Sequence, residues 1–210
     1  MKDLLKKLSD KFDEEAEKIK EYVTNKSEYA SDFFDILPAF TSLEKRPRKM
    51  WGKKGVYIFL ITKPVSLDYN IVSAWNSVSG AGFKLYFQPS LVTGDCLYVG
   101  SSDSLYGRMR EHFSADSGAA SLKLSHPNRK LAIESVCVYS FALKREFADY
   151  SSMIITQIEK RLHNSYNQKP GAVEFNTNLK IMCVDGIHGS AVIWYESSIS
   201  YAKIPKISFL

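Results

Sequence analysis

The sequence predicts an α/β (α+β) chain built on a small mixed three-stranded sheet flanked by helices. Two observations carry the prediction. Three runs, "GVYIFLI" (Gly55–Ile61), "CLYVG" (Cys96–Gly100) and "IESVCVYSFAL" (Ile133–Leu143), are rich in the β-branched and aromatic residues of strands. Two others, "DSLYGRMREHF" (Asp103–Phe113) and "DYSSMIITQIEKRLHNSYN" (Asp149–Asn167), space their apolar residues as helices do. The order strand, strand, helix, strand, helix is a mixed one, too short for a doubly wound sheet. With 210 residues and 45% hydrophobic content the chain can bury a core, which argues against wholesale disorder.

Residues 3 to about 30 read as an amphipathic helix, with Leu4, Leu8, Phe12, Ile19 and Val23 near one face. Packing on the main core is favoured over binding a partner. "SDFFDILPAF" is a short apolar segment broken by Pro38, and from Lys45 to Lys54 six of ten residues are basic, with Trp51 among them. Residues 1–54 thus form a helical extension and basic linker, and residues 55–178 the core. Between the first two core strands, residues 63–95 read as an insertion, with Pro64, the soft "SVSGAG", a strand "FKLYF" and a turn at "VTGD". Ser102 or Asp103 is placed to cap the first core helix. In residues 179–210, "KIMCV" and "AVIWY" read as strands packed on the core, giving a single domain overall.

Net charge is +5, mildly basic and by itself only weak evidence for a polyanionic partner. Cys96, Cys137 and Cys183 lie in apolar runs without CxxC spacing. Together with an N-terminus too charged for a secretory signal, they point to a reducing cytoplasm. No apolar run approaches the roughly 18 residues a membrane span needs.

Several residues stand out chemically. Glu159 lies within the stripe of Ile155, Ile158 and Leu162, where a carboxylate is costly unless it is paired or holds a cation. A salt bridge is the ordinary explanation. Arg108 and His112, one turn apart, share a helix flank beside Leu105 and Met109. An arginine beside a histidine can grip a phosphate, though an ordinary surface pair would have the same spacing. Tyr57 and Tyr98 alternate with apolar neighbours and could serve packing alone.

Their order carries more. "GVY" opens the first strand, "YVG" lies in the second, the Arg and His follow on a helix, and the Glu sits on the next long helix. A proline and "FN" (Phe175, Asn176) come after it. This arrangement resembles the GIY-YIG nuclease family over about Gly55 to Asn176, most like its type II restriction members. The resemblance implies that Tyr57 activates the attacking water and that Tyr98 lines the site. It further implies that Arg108 stabilises the phosphate with His112 beside it, that Glu159 binds the metal, and that Asn176 is the late asparagine. Gly55 and Gly100 would be the motif glycines. Val56 and Val99 replace isoleucines, the spacer between the tyrosine motifs is long, and Asn176 lies further from Glu159 than is typical, so Asn178 is its rival.

The expected activity is hydrolysis of phosphodiester bonds in double-stranded DNA by a metal-dependent endonuclease, site-specific and of type II restriction character. Mg²⁺ suits a single carboxylate because it keeps several waters and borrows substrate oxygens, and Mn²⁺ is a possible substitute. A tyrosine base needs its pKa, about 10 when free, brought down by positive charge. Lys53, Lys54 or the metal are the candidates for that. Arg46, Arg48, Lys49, Lys53, Lys54 and Arg110 are the expected contacts to DNA phosphates. With no separate DNA-reading domain evident, a homodimer on a palindromic site is expected. A non-catalytic nucleic-acid-binding module with the same fold and a mobile-element or repair-type nuclease are the alternatives. The common restriction-enzyme pattern of an acidic residue two before a lysine is absent.

Overall fold

The computed structural model describes residues 2–42, 48–78, 90–116, 121–129 and 134–167. Gly55–Ile61 (β2) forms the spine of the molecule because it is apolar along its whole length and buried on both faces. The strands Cys96–Ser102 (β5) and Val136–Leu143 (β6) flank it, and Phe34–Phe40 (β1) pairs with β6, giving the order β1-β6-β2-β5. Every pairing in this sheet is antiparallel. The expected mixed sheet of three strands is therefore an antiparallel sheet of four. The fourth strand is the segment broken by Pro38. A proline has no N–H for a ladder, but an edge strand tolerates it at an irregularity, and the register shifts between Leu37 and Phe40.

Alternation along the strands divides the core into two layers. Val56, Ile58, Leu60, Val99 and Phe141 face the helices Lys2–Asn25 (α1) and Ser151–Asn167 (α4), against Phe12, Ile19, Ile158 and Leu162. Tyr57, Phe59 and Ile61 face the other way, against Leu105, Met109 and Phe113 of Leu105–Phe113 (α3) and Trp75 of Tyr69–Asn76 (α2). Each fully buried side chain of this size contributes about 1.5–3 kcal/mol, so the double-sided burial of β2 anchors whatever it carries.

The extension helix α1 ends at Asn25 rather than near residue 30, because Lys26 takes a left-handed φ of 52° and its N–H closes on the Tyr22 carbonyl at 2.8 Å. Phe12, Ile19 and Val23 are buried, whereas Leu4 is exposed. The cap of α3 is Ser104, not Ser102 or Asp103; its hydroxyl accepts from the Gly107 N–H.

The insertion carries a helix that its composition did not announce. Asp68 caps α2 by accepting from Ile71 N–H at 2.8 Å, and short strands Val65–Ser66 (β3) and Ser90–Leu91 (β4) pair beside it. The "VTGD" turn closes on β2 through Gly94 N–H to the Ile61 carbonyl at 2.8 Å and Ile61 N–H to the Asp95 carbonyl at 2.9 Å. "FKLYF", Asn176, Asn178, Cys183 and the C-terminal strands lie outside the described residues. Among the described residues no helix is long and apolar enough to cross a membrane.

Candidate active site

The site is built around one hydroxyl. In the β2–β5 ladder Tyr57 stands opposite Gly100, and Phe59 opposite Tyr98. These positions face the α3 side of the sheet. The Tyr57 and Tyr98 rings lie 6.1 Å apart at 22°, and the His112 ring is 5.2 Å from that of Tyr98. The Tyr57 hydroxyl lies 2.8 Å from His112 Nε2, and Arg108 Nε donates to it at 3.3 Å. The i, i+4 spacing on α3 brings both side chains down on the same phenol. Arg108 Nη1 also donates to Glu111 at 2.5 Å, so its fork already holds an oxyanion.

Gly100 makes this arrangement possible. A methyl group there would fall on the Tyr57 ring, with Cζ at 2.5 Å, and on Tyr98 Cε1 at 2.9 Å. Gly100→Ala is expected to destabilise the fold by about 1–3 kcal/mol and to push the Tyr57 hydroxyl off its partners. Urea unfolding checks this, and an unchanged midpoint would mean that the phenol has another place to go.

Glu159 approaches from the other side. It projects from α4, against the sheet face opposite Tyr57, and its Oε2 accepts from Ser101 Oγ at 2.6 Å. His163, one turn further along α4, stands 3.8 Å from Oε1. Burial pushes the Glu159 pKa up, but the facing His163 ring and the Ser101 hydroxyl outweigh it and hold the group below the usual carboxylate range. It is an anion at neutral pH. The two halves of the site thus lie on opposite faces and meet at Gly100–Ser101 on the edge strand β5. They are near enough that the Glu159 charge helps to raise the Tyr57 pKa.

Burial raises the Tyr57 pKa above its ordinary value, with the neighbouring Tyr98 adding and Arg108 opposing. The cation at the hydroxyl is therefore Arg108. Lys54 turns instead to Ser151 Oγ at 3.2 Å and Asp103 at 3.4 Å. His112 is fully buried, and desolvation together with the Arg108 charge pushes its pKa down to about 3. A histidine in the unfolded chain takes up a proton below about pH 6.5, while the folded one does not. Unfolding therefore binds a proton in this window, and stability is lost as pH falls from about 6.5, by at most about 1.4 kcal/mol per unit. Urea melts at neutral and mildly acidic pH should show this slope and a flatter one for His112→Gln. Equal slopes would acquit His112.

Lys49, Lys53 and Arg110 are exposed. The Lys53 carbonyl accepts from the Leu105 N–H at 2.9 Å, so the basic stretch enters at the N-terminal end of α3, beside the end of β5. Arg110 points about 200° around the helix from Arg108 and does not join the cluster. Arg46 and the Arg48 side chain lie outside the described residues, as does Asn176.

Sequence reasoning missed Ser101 and Leu122. Period-two alternation would have placed Ser101 on the face opposite Tyr98, towards α4. Leu122 acts through its peptide, whose N–H donates to His112 Nδ1 at 3.1 Å, and no side-chain pattern reports that.

Among the described residues no cluster of three or more His, Cys, Asp or Glu could hold a metal ion. A lone, ionised, half-buried carboxylate nevertheless fits Mg²⁺, which takes one or two protein carboxylates and fills its shell with water and phosphate oxygens. No protein-family model, curated protein or solved structure matches the chain.

Proposed function

We propose that the protein is a metal-dependent endonuclease that hydrolyses phosphodiester bonds in double-stranded DNA, with the residue order of the GIY-YIG nucleases. The observation that carries this reading is the convergence of the Arg108 guanidinium and His112 on the Tyr57 hydroxyl, with the Glu159 carboxylate around the adjoining edge of β5. A packing tyrosine needs no such cation. A phenol that must become an anion does.

In the reaction, water attacks phosphorus while its proton passes to the Tyr57 oxygen, present as the phenolate. The bond to the 3′-oxygen breaks, and that oxygen takes a proton from solvent. Arg108 balances the charge growing on the phosphoryl oxygens, a phosphate oxygen taking the place of the Glu111 carboxylate on its fork. Glu159 would hold Mg²⁺, or Mn²⁺ in its place, and the bound ion would polarise the phosphate and stabilise the leaving oxygen. Lys49 and Lys53 would contact the backbone and make binding sensitive to salt. Two copies related by a twofold axis would cut both strands of a palindrome, the restriction-enzyme form of this activity.

Incubation with plasmid or phage DNA and Mg²⁺ tests the proposal. Discrete bands are expected, and DNA that is bound but left whole with either Mg²⁺ or Mn²⁺ would establish a binding module instead. Because the Tyr57 pKa is raised, its base form is a small fraction that grows with pH. Single-turnover cleavage is therefore expected to climb from about pH 7 to 9, approaching tenfold per unit. A maximum near neutrality would point to a different base.

A further inference from the structure

Behind Tyr57 lies a chain of buried hydrogen bonds that the cleavage chemistry leaves unexplained. The Leu122 N–H donates to His112 Nδ1 at 3.1 Å, and the Leu122 carbonyl accepts from Arg129 Nη1 at 2.6 Å. Arg129 Nε and Nη2 both donate to the Trp75 carbonyl at 3.2 Å, and its guanidinium lies 4.5 Å over the Trp75 ring. Arg129 is 1% exposed, a long charged side chain sunk between the insertion helix α2 and the segment that follows α3. Beside it, Asn128 donates to Ser77 Oγ at 3.0 Å, and Leu124 N–H returns to the His112 carbonyl at 2.8 Å.

This geometry decides where the His112 proton sits. A ring nitrogen that accepts from a peptide N–H carries no proton, so neutral His112 is protonated on Nε2. Nε2–H then donates to Tyr57, whose oxygen also accepts from Arg108 Nε. With both lone pairs of the phenol engaged, its own proton is directed away from His112. In the other tautomer Nε2 would be an acceptor, and the Tyr57 proton would be drawn inward to it.

We propose that Arg129 is a positioning residue that, by clamping the Leu122 peptide to α2, fixes His112 as the Nε2–H tautomer and so keeps the Tyr57 proton turned outward. The catalytic consequence rests on Tyr57 being the base, but the tautomer does not. The guanidinium spans the two carbonyls from separate nitrogens held in one plane and lies over the Trp75 ring. A lysine ammonium of equal charge offers its donors from a single point and would hold the Leu122 peptide less firmly.

The test is a long-range ¹H–¹⁵N correlation spectrum of the full chain carrying ¹⁵N-histidine, with the His112 ring assigned through His112→Gln. The expected result is a bare Nδ1 and a protonated Nε2 at neutral pH, changing to a mixture of tautomers in Arg129→Lys. Cleavage by Arg129→Lys is expected to fall about tenfold or more in kcat with KM little changed. A protonated Nδ1 in the wild-type protein, or an Arg129→Lys spectrum identical to wild type, overturns the proposal. Should Arg129→Lys fail to fold, slowly exchanging Arg129 guanidinium protons in the wild-type protein decide, and rapid exchange refutes the clamp. A wild-type protein with the expected tautomer that cuts no DNA would sink the nuclease reading and leave the clamp on the His112 tautomer standing.

Discussion

Tyr57→Phe is expected to lower DNA cleavage by about 10²–10⁴-fold while the protein stays folded, because it deletes the proton acceptor and little else. The ring fills the same space between Phe59, Tyr98 and His112, so the packing of the α3 layer survives. Stability also changes. His112 Nε2–H and Arg108 Nε–H both donate to the lost oxygen. A buried donor left without an acceptor costs about 1–3 kcal/mol, and Arg108 can recover part of that by swinging towards Glu111 and water. Cleavage rates and urea unfolding on the same preparation separate the two effects. A Tyr57→Phe protein that cuts at the wild-type rate would remove Tyr57 from the chemistry, whatever its place in the fold.

Glu159→Gln should be nearly as severe and for a different reason. The amide keeps the shape of the side chain and can still accept from Ser101 Oγ, so the contact between α4 and β5 is preserved. What disappears is the negative charge. Cleavage is expected to fall by about 10²–10³-fold, the usual loss when one charge-stabilising group is taken from a transition state. Mn²⁺ binding, followed by calorimetry or by the electron spin resonance of the ion, is expected to weaken in parallel. A variant that binds Mn²⁺ as wild type does would place the ion elsewhere. One that binds poorly yet cuts normally would mean that cleavage does not depend on this carboxylate. The two substitutions also probe opposite faces of the sheet, so a joint loss would tie the halves meeting at Gly100–Ser101 into one site.

How much of this was legible beforehand depends on which force set each element. β2, β5, β6, α3 and α4 were readable because burial against a neighbouring layer imposes a period on the side chains. β1 was not, because Pro38 hid an edge strand whose irregular pairing tolerates it. The helix α2 has eight residues, two of them buried, and no amphipathic stripe long enough to read; its start depends on the Asp68 cap. Within the site, helical spacing put Arg108 and His112 on one flank of α3, whereas the grouping of that pair with Tyr57 and Tyr98 rested on the resemblance in residue order. Which cation reaches the phenol followed from neither. The nearby basic run made Lys53 and Lys54 natural candidates, yet Lys54 is held by Asp103 and Ser151, and the helix delivers Arg108 instead. The hydrogen bonds that tie Leu122 to His112 and Arg129 to Leu122 and Trp75 each have a backbone atom at one end, and backbone atoms leave no mark on residue identity.

The long connection between β2 and β5 has a consequence for how such a protein can change over generations. Its two ends are fixed: the chain leaves β2 at Ile61, which is bonded to Gly94 and Asp95 on the return. Its first half is also fixed, through the grip of Arg129 on the Trp75 carbonyl. Lengthening a closed loop costs only about 0.6 kcal/mol per doubling, so loop closure itself would hardly oppose a change in the length of that first half. The bonds oppose it instead: a residue gained or lost between Ile61 and Trp75 would shift the Trp75 carbonyl and be felt at Tyr57 through Arg129, Leu122 and His112. Exposed side chains of this half can therefore be exchanged over generations far more readily than its length.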